Sequence, residues 1–227
     1  MYAMLQPVTT TTIASPQPGL RERKKQQTRE HIAETARRLF GERGFDRVTV
    51  AEVARAADVS EQTVFNYFRT KEDLVYWQLG AFEEELLTTI REREPGEPAL
   101  DAFGRFLLAQ RGLLGRQDPE ARERLAKLTR TIADSPALLA REQQIFARYT
   151  DSLAALLAEE QKAKPGDARP WVAANAMMGV HRAVVAFARR RVLEGARHPA
   201  LAREVRQRTE QALALLAQGL GDYAPGT

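Results

Sequence analysis

Beyond residue 27 the apolar residues recur every three to four positions and almost never alternate, so the pattern predicts helix after helix and no sheet. Ile32, Ala36, Leu39 and Phe40 form one stripe, which predicts a first helix over roughly 27–43 with Gly44 as its stop. TVAE is a capping box, with Thr49 capping and Glu52 reaching back, and it starts a second helix. A third helix starts at Ser60. A fourth starts after Thr70, with Asp73 at the reciprocal capping position, and runs to about 91. EREPGEP (92–98) breaks the pattern. Further helices are predicted near 98–115, 118–132, 136–163, 168–194 and 199–219. Ser135-Pro136, KPGDARP (164–170) and GARHP (195–199) punctuate them. The expected fold is all-α. A Thr/Pro/Gln-rich tail (1–20) is expected to be disordered. A three-helix unit (21–73) and a larger helical domain (74–221) follow it.

The third helix, inside VSEQTVFNYFRTKEDL, has an unusual surface. On a wheel of about 100° per residue, Val64 and Phe68 share one side. Val59, just before the cap, can staple onto Val64. The opposite side carries Gln62 and Asn66, flanked by Thr63, Phe65 and Arg69, with Tyr67 near the boundary. Amides bond bidentately to adenine edges in a major groove, and Thr and aromatic groups can meet thymine methyls or phosphates. Helix two reaches helix three through Ala57-Asp58-Val59, a turn that suits a helix-turn-helix. Asp58 stands where glycine would be usual, and Asp tolerates the left-handed backbone better than most residues. Thr49, Thr63, Tyr67 and Lys71 ring this site as phosphate contacts. RERKK (21–25) reads as a basic arm ahead of the first helix, able to follow the backbone or a minor groove. The wheel alone leaves an ordinary surface helix as an even alternative.

Composition narrows the picture further. A net charge of +4 favours an anionic partner without naming one. The absence of cysteine excludes disulfides and thiolate metal sites, and His31, His181 and His198 are scattered. No metal and no cofactor are therefore expected. The sequence has no glycine-rich phosphate loop, no nucleophile elbow and no convincing His–acid pair, which argues against an enzyme. The longest apolar run, WVAANAMMGV (171–180), is short for a bilayer span and contains Asn175. The N-terminus has no basic leader with an apolar stretch behind it. A cytoplasmic location and no membrane partner are expected.

Three pieces in this order and spacing resemble the N-terminal domain of the tetracycline-repressor (TetR) family of bacterial regulators. They are A-x-x-L-F-x-x-x-G-F, V-T-V-x-x-V-A-x-x-A-x-V-S and T-V-F-x-Y-F-x-x-K-E-x-L, together covering about residues 28–74. The resemblance implies a homodimeric transcription regulator, usually a repressor, that a small molecule releases from a palindromic double-stranded operator. It implies that Thr49 and Lys71 hold phosphates at helix starts. Glu61, Gln62, Thr63, Phe65, Asn66 and Tyr67 would form the DNA-facing set, although the acidic Glu61 by its own chemistry is expected to face water. Two departures stand out: Asp58 for the usual glycine, and Phe65 where Tyr is common.

Helix 168–194 is apolar on two sides. One stripe holds Trp171, Ala174, Asn175, Met178, Arg182 and Val185, and the other Val172, Ala176, Val180, Ala183 and Phe187. A helix buried on both sides suggests one face toward its own domain and one toward a second subunit. Helix 199–219 has a seam at Leu201, Val205, Ala212, Leu216 and Leu220. Val180, Phe187, Leu201, Val205, Ala212 and Leu216 are thus the dimer-interface candidates. Phe103, Phe106, Phe146, Tyr149, Trp171, Met177 and Met178 are candidates for a ligand pocket, with plain core packing the simpler role for each alone. Asn175 and Arg182 join them as polar residues on an apolar stripe. Arg182 would either clamp an acidic group or pair with Glu142. The Ser-Pro-Ala-Leu-x-Ala-Arg-Glu run (135–142) is similar to family members that sense acyl-CoA-like molecules, which suggests an effector with an apolar body and an acidic end. A DNA-binding architectural protein without a ligand is the competing reading.

Overall fold

The computed structural model describes residues 19–77, 79–109, 119–196 and 199–219. The expected tail, the end of the fifth helix, His198 and Leu220 lie wholly or largely outside them. The described residues form α1 (Leu20–Arg43), α2 (Val50–Ala56), α3 (Glu61–Tyr67), α4 (Leu79–Arg91), α5 (Ala99–Ala109), α6 (Pro119–Ala133), α7 (Pro136–Glu160), α8 (Arg169–Leu193) and α9 (Ala200–Gln218). The architecture is all-α, as the periodicity predicts.

Two boundaries differ. α1 begins at Leu20, so the basic RERKK segment is helix and not a separate arm. Residues 20–27 are all exposed, so apolar periodicity is silent there, while Arg, Glu, Lys and Gln sustain helix by propensity. The fourth predicted helix is split. Thr70 and Asp73 do cap each other, with Thr70 N–H donating to Asp73 Oδ2 at 3.1 Å and Asp73 N–H to Thr70 Oγ1 at 3.3 Å. They nucleate only a 3-10 turn, Glu72–Leu74, and α4 starts at Leu79. Leu74, Val75 and Tyr76 are buried in succession, which a helix with one buried face cannot satisfy.

One apolar core runs through both parts of the molecule, from Ile32, Phe40, Val53 and Val64 to Leu86, Phe103, Leu153 and Met178. α8 lies between α7 and α9. By length and composition α8 could cross a membrane, yet here it is a packed helix of a helical domain. Its faces are turned relative to the sequence pattern. Ala174, Met177, Met178 and Val180 point inward, whereas Trp171 and Val172 are each 56% exposed and Arg182, Ala183 and Ala186 face outward. Both sides are apolar, so periodicity finds the stripes but cannot say which faces the chain's own core. The outward side is the one with small residues.

Two members of the proposed dimer seam are buried within a single chain, Val180 at 9% and Leu201 at 3% exposure. Ala212 and Leu216 pack against the same core. Phe187 is half-buried with the Arg208 guanidinium of α9 5.5 Å from its ring centroid, and Val205 of α9 is half-buried. These residues therefore join α9 to its own domain. The apolar surface left over lies on α8.

Candidate nucleic-acid interface

Local chemistry sets the α2–α3 unit. Thr49 Oγ1 accepts from Glu52 N–H at 3.2 Å, and Glu52 Oε2 accepts from Thr49 N–H at 2.8 Å, closing the predicted box. The Thr49 backbone N–H, the Arg43 guanidinium and the Thr49 hydroxyl together hold the Glu52 carboxyl down to about 2. Arg43 Nη2 lies 2.6 Å from Glu52 Oε1, tying the end of α1 to the start of α2. The turn closes at Asp58, whose φ of 52° lies in the left-handed region that Asp tolerates. Ser60 then caps α3, its Oγ accepting from Thr63 N–H at 3.0 Å.

Burial on α3 follows the wheel. Val64 and Phe68 are 1% and 2% exposed and anchor the helix. Glu61, Gln62, Phe65, Asn66 and Arg69 are exposed, and Thr63 and Tyr67 half-exposed. Gln62 Nε2 donates to Asn66 Oδ1 at 3.1 Å, so the two amides are pre-aligned one turn apart. That bond leaves each amide donor and acceptor capacity for a base edge. Phe68 adopts extended backbone and ends the helix.

Lys71 is engaged inside the protein. Its Nζ donates to Phe45 O at 2.6 Å and sits 4.1 Å from the Phe45 ring centroid. Burial lowers its pKa, opposed by the charges of Asp46, Glu72 and Glu52. Its primary contact is thus the loop between α1 and α2, which sequence reading could not show.

That loop also meets the larger domain. Ser135 Oγ donates to Asp46 Oδ1 at 3.1 Å. Arg141 Nη2 bonds Asp73 Oδ1 at 2.8 Å, while the other oxygen of that carboxylate caps the 3-10 turn. The Tyr76 hydroxyl donates to Leu138 O at 3.0 Å, and burial pushes its pKa up. Ser135, Leu138 and Arg141 all belong to the run noted for its resemblance to acyl-CoA sensors. In the structure this run is the seat of the reading head. Its partners lie 62 to 89 positions away, beyond the reach of any local pattern.

The pocket candidates divide. Phe103, Phe106, Phe146, Tyr149, Met177 and Met178 are buried together. Trp171 and Arg182 are exposed, and Asn175 is a half-buried residue whose Nδ2 bonds Trp171 O within α8 at 2.9 Å. The partner of Glu142 is Arg189 rather than Arg182. Two residues the pattern did not single out complete the aromatic interior. His181 stacks on Phe82 at 4.7 Å and meets Phe146 edge-on at 5.5 Å. Phe82 also stacks on Tyr149 at 5.5 Å and meets Phe106 at 5.0 Å. Burial, then the neighbouring Arg182 charge, brings the His181 pKa down to about 4. An open cleft of about 560 Å³ between α4 and α5 is lined by Glu84, Glu85, Thr88, Arg105 and others, with Phe106 of this interior at its wall. Among the described residues no cluster of His, Cys, Asp or Glu could hold a metal ion.

A short capped helix, anchored by two apolar residues and showing amides outward from a left-handed turn, defines a helix-turn-helix DNA-binding domain. Residues 32–76 match the family model described as bacterial regulatory proteins, tetR family. The chain is thus similar to that family of transcriptional regulators over its helix-turn-helix unit. It is 36% identical over 100 residues to the HTH-type transcriptional regulator TcmR of Streptomyces glaucescens, over 44% of this chain and 42% of that protein. It is 28% identical over 166 residues to MftR of Mycobacterium tuberculosis, over 70% of this chain and 78% of that one. The first of these matches thus spans less than half of the relative's length. In fold it is similar to the regulator FadR from Bacillus subtilis, solved with stearoyl-CoA, at TM-score 0.52 and 22% identity over 84% of this chain and 98% of that one.

Proposed function

We propose that this chain is a homodimeric repressor whose two α3 helices read a palindromic operator and which a small-molecule effector releases. The observation that carries the reading is α3 itself. Gln62 and Asn66 are pre-aligned and exposed on a helix that buries only Val64 and Phe68, and Thr49, Thr63 and Tyr67 are the phosphate contacts we infer beside them. A monomer would read a single half-site, whereas a two-fold dimer reads two half-sites about one DNA turn apart. The outward side of α8 supports self-association. Only 22% of its most apolar stretch is buried within the chain. Its small residues Ala183 and Ala186 would let a second α8 approach closely.

The effector site we infer is the aromatic interior around Phe82, Phe106, Phe146, Tyr149 and His181, entered from the α4–α5 cleft. An apolar body suits it. The acidic end expected from the sequence does not suit this entrance: Glu84 and Glu85 line it, and its Arg105 is already bonded to Glu97 at 2.8 Å. A neutral or cationic effector fits better. Release needs an effector that binds the free conformation more tightly than the DNA-bound one. The Ser135–Arg141 segment, bonded to Asp46, Tyr76 and Asp73, is the path by which a shift in the sensor domain would reach α3.

Selection of bound duplexes from random DNA, with sedimentation of the complexes, tests this. A palindromic consensus bound by two chains is expected. Failure to enrich any sequence, or a single half-site bound by one chain, overturns the proposal.

A further inference from the structure

Among the described residues nothing packs against the first two turns of α1. Residues 20–27 are exposed and carry Arg21, Arg23, Lys24 and Lys25 against one acid, Glu22. Glu22 approaches Lys25 only to 3.9 Å, both side chains being more than 60% exposed, so this pair neutralises little. The register of these cations is the informative point. Arg21, Lys25, Arg29 and Ile32 follow one another at spacings of four, four and three and share one side of α1. That side is the inner one. Ile32, Thr35, Ala36 and Leu39 are buried along it, and the Arg29 guanidinium lies 5.7 Å from the ring centroid of Phe68, the residue that ends α3. Lys24 sits at its edge, its carbonyl accepting from the Thr28 hydroxyl at 3.0 Å. Toward the N-terminus from Arg29 the same side is exposed, with none of the described residues covering it.

We propose that this side of residues 21–25 is a second DNA contact, in which Arg21, Lys24 and Lys25 grip backbone phosphates flanking the sequence read by α3. The inference rests on the DNA-binding reading of α3 and adds a surface to it. Charge complementarity selects the partner, and Arg29 ties this side of α1 to the end of α3 at Phe68. From Arg29 to Arg21 the helix rises about 12 Å at about 1.5 Å per residue. That is about three to four base pairs at about 3.4 Å of strand per phosphate. Because the segment is a continuation of α1, its cations are held in register, unlike those of a flexible arm. Phosphate contacts of this kind position the protein without reading sequence.

The test uses the full chain with Arg21, Lys24 and Lys25 all changed to Ala, which preserves helix propensity. Binding is measured on a duplex selected by the wild type and on a mixed-sequence duplex of equal length, across a range of salt concentrations. The expected result is weaker binding to both duplexes alike. The log–log salt slope should fall by about two to three per chain, since each phosphate contact contributes about 0.9. The hydroxyl-radical footprint should lose about three to four base pairs at each outer edge, and the selected consensus should stay the same. An unchanged slope and footprint, with the wild type binding normally, overturns the contact and leaves the α3 reading intact. A changed consensus also overturns it, because the segment would then be reading bases. A wild-type chain that binds neither duplex overturns the α3 reading and this contact together. Circular dichroism and thermal melting of the variant must match the wild type, which is expected because the three side chains bury nothing. A lowered melting temperature would mean that the segment is structural, which overturns the proposal.

Discussion

At the scale of single residues, Asn66 and Lys71 are neighbours with opposite duties. Asn66 is exposed and held by Gln62 in a pose that leaves it able to meet an adenine edge. Asn66→Ala should cost about 1–3 kcal/mol at one base position and relax preference there. Selection with the variant measures this, and an unaltered consensus would remove Asn66 from the readers. Lys71, by contrast, spends its ammonium on Phe45 O and on the Phe45 ring. Lys71→Ala should therefore lower the unfolding free energy by about 1–2 kcal/mol, the range of a partly buried charge-assisted hydrogen bond. Denaturant unfolding would show it. A variant of unchanged stability whose salt slope drops by about one would restore Lys71 to the phosphate contacts. His181 carries a pH signature. Its pKa falls from the ordinary value near 6.5 to about 4. Between those values the unfolded chain binds the proton and the folded chain does not. Stability should be full above about pH 6.5 and decline as the pH falls toward about 4. His181→Phe keeps the ring stack and should remove this part of the decline. Equal pH dependence of melting in wild type and variant would contradict the assignment.

At the scale of elements, the turn between α6 and α7 is a joint. Ser135, Leu138 and Arg141 each hold one point of the reading head, at Asp46, Tyr76 and Asp73. Asp73 serves two structures at once, capping the 3-10 turn with one oxygen and receiving Arg141 on the other. Arg141→Met should therefore loosen this turn locally. Hydrogen exchange is expected to quicken at residues 70–76 and to stay unchanged in the middle of α8. Equal quickening in α8 would show that the pair supports the whole fold rather than the joint.

For the whole molecule, the proposed dimer rests on the outward side of α8. Trp171 and Val172 are exposed, and Ala183 and Ala186 lie on the same side. Ala183→Glu adds a charge where the single chain has solvent, so the monomer should stay folded. Buried against a second subunit, the same charge would be unpaired and costly. We expect a folded monomer by sedimentation, with operator affinity reduced at least tenfold. A dimer at wild-type concentrations would place the subunit contact on another face.

The helices, their caps and the exposed amide face of α3 were legible in the local sequence. These are local matters: the Thr49–Glu52 box, the Asp58 turn and the outward set on α3 each follow from residues within four positions of one another. Apolar periodicity could not see the start of α1, which buries nothing, and it overran the break at 74–76, where three residues in a row are buried. It could not tell the two apolar sides of α8 apart, because the choice depends on what stands opposite each side. For the same reason it gathered Phe106, Phe146, Tyr149 and Met178 correctly into one interior but added Trp171 and Arg182, which face outward, and passed over Phe82 and His181. Which partner each cation meets depends on how the chain packs in space. Arg189 takes Glu142, Arg141 takes Asp73 and Lys71 takes a backbone carbonyl, since hydrogen bonds form over about 3 Å of space regardless of distance along the chain.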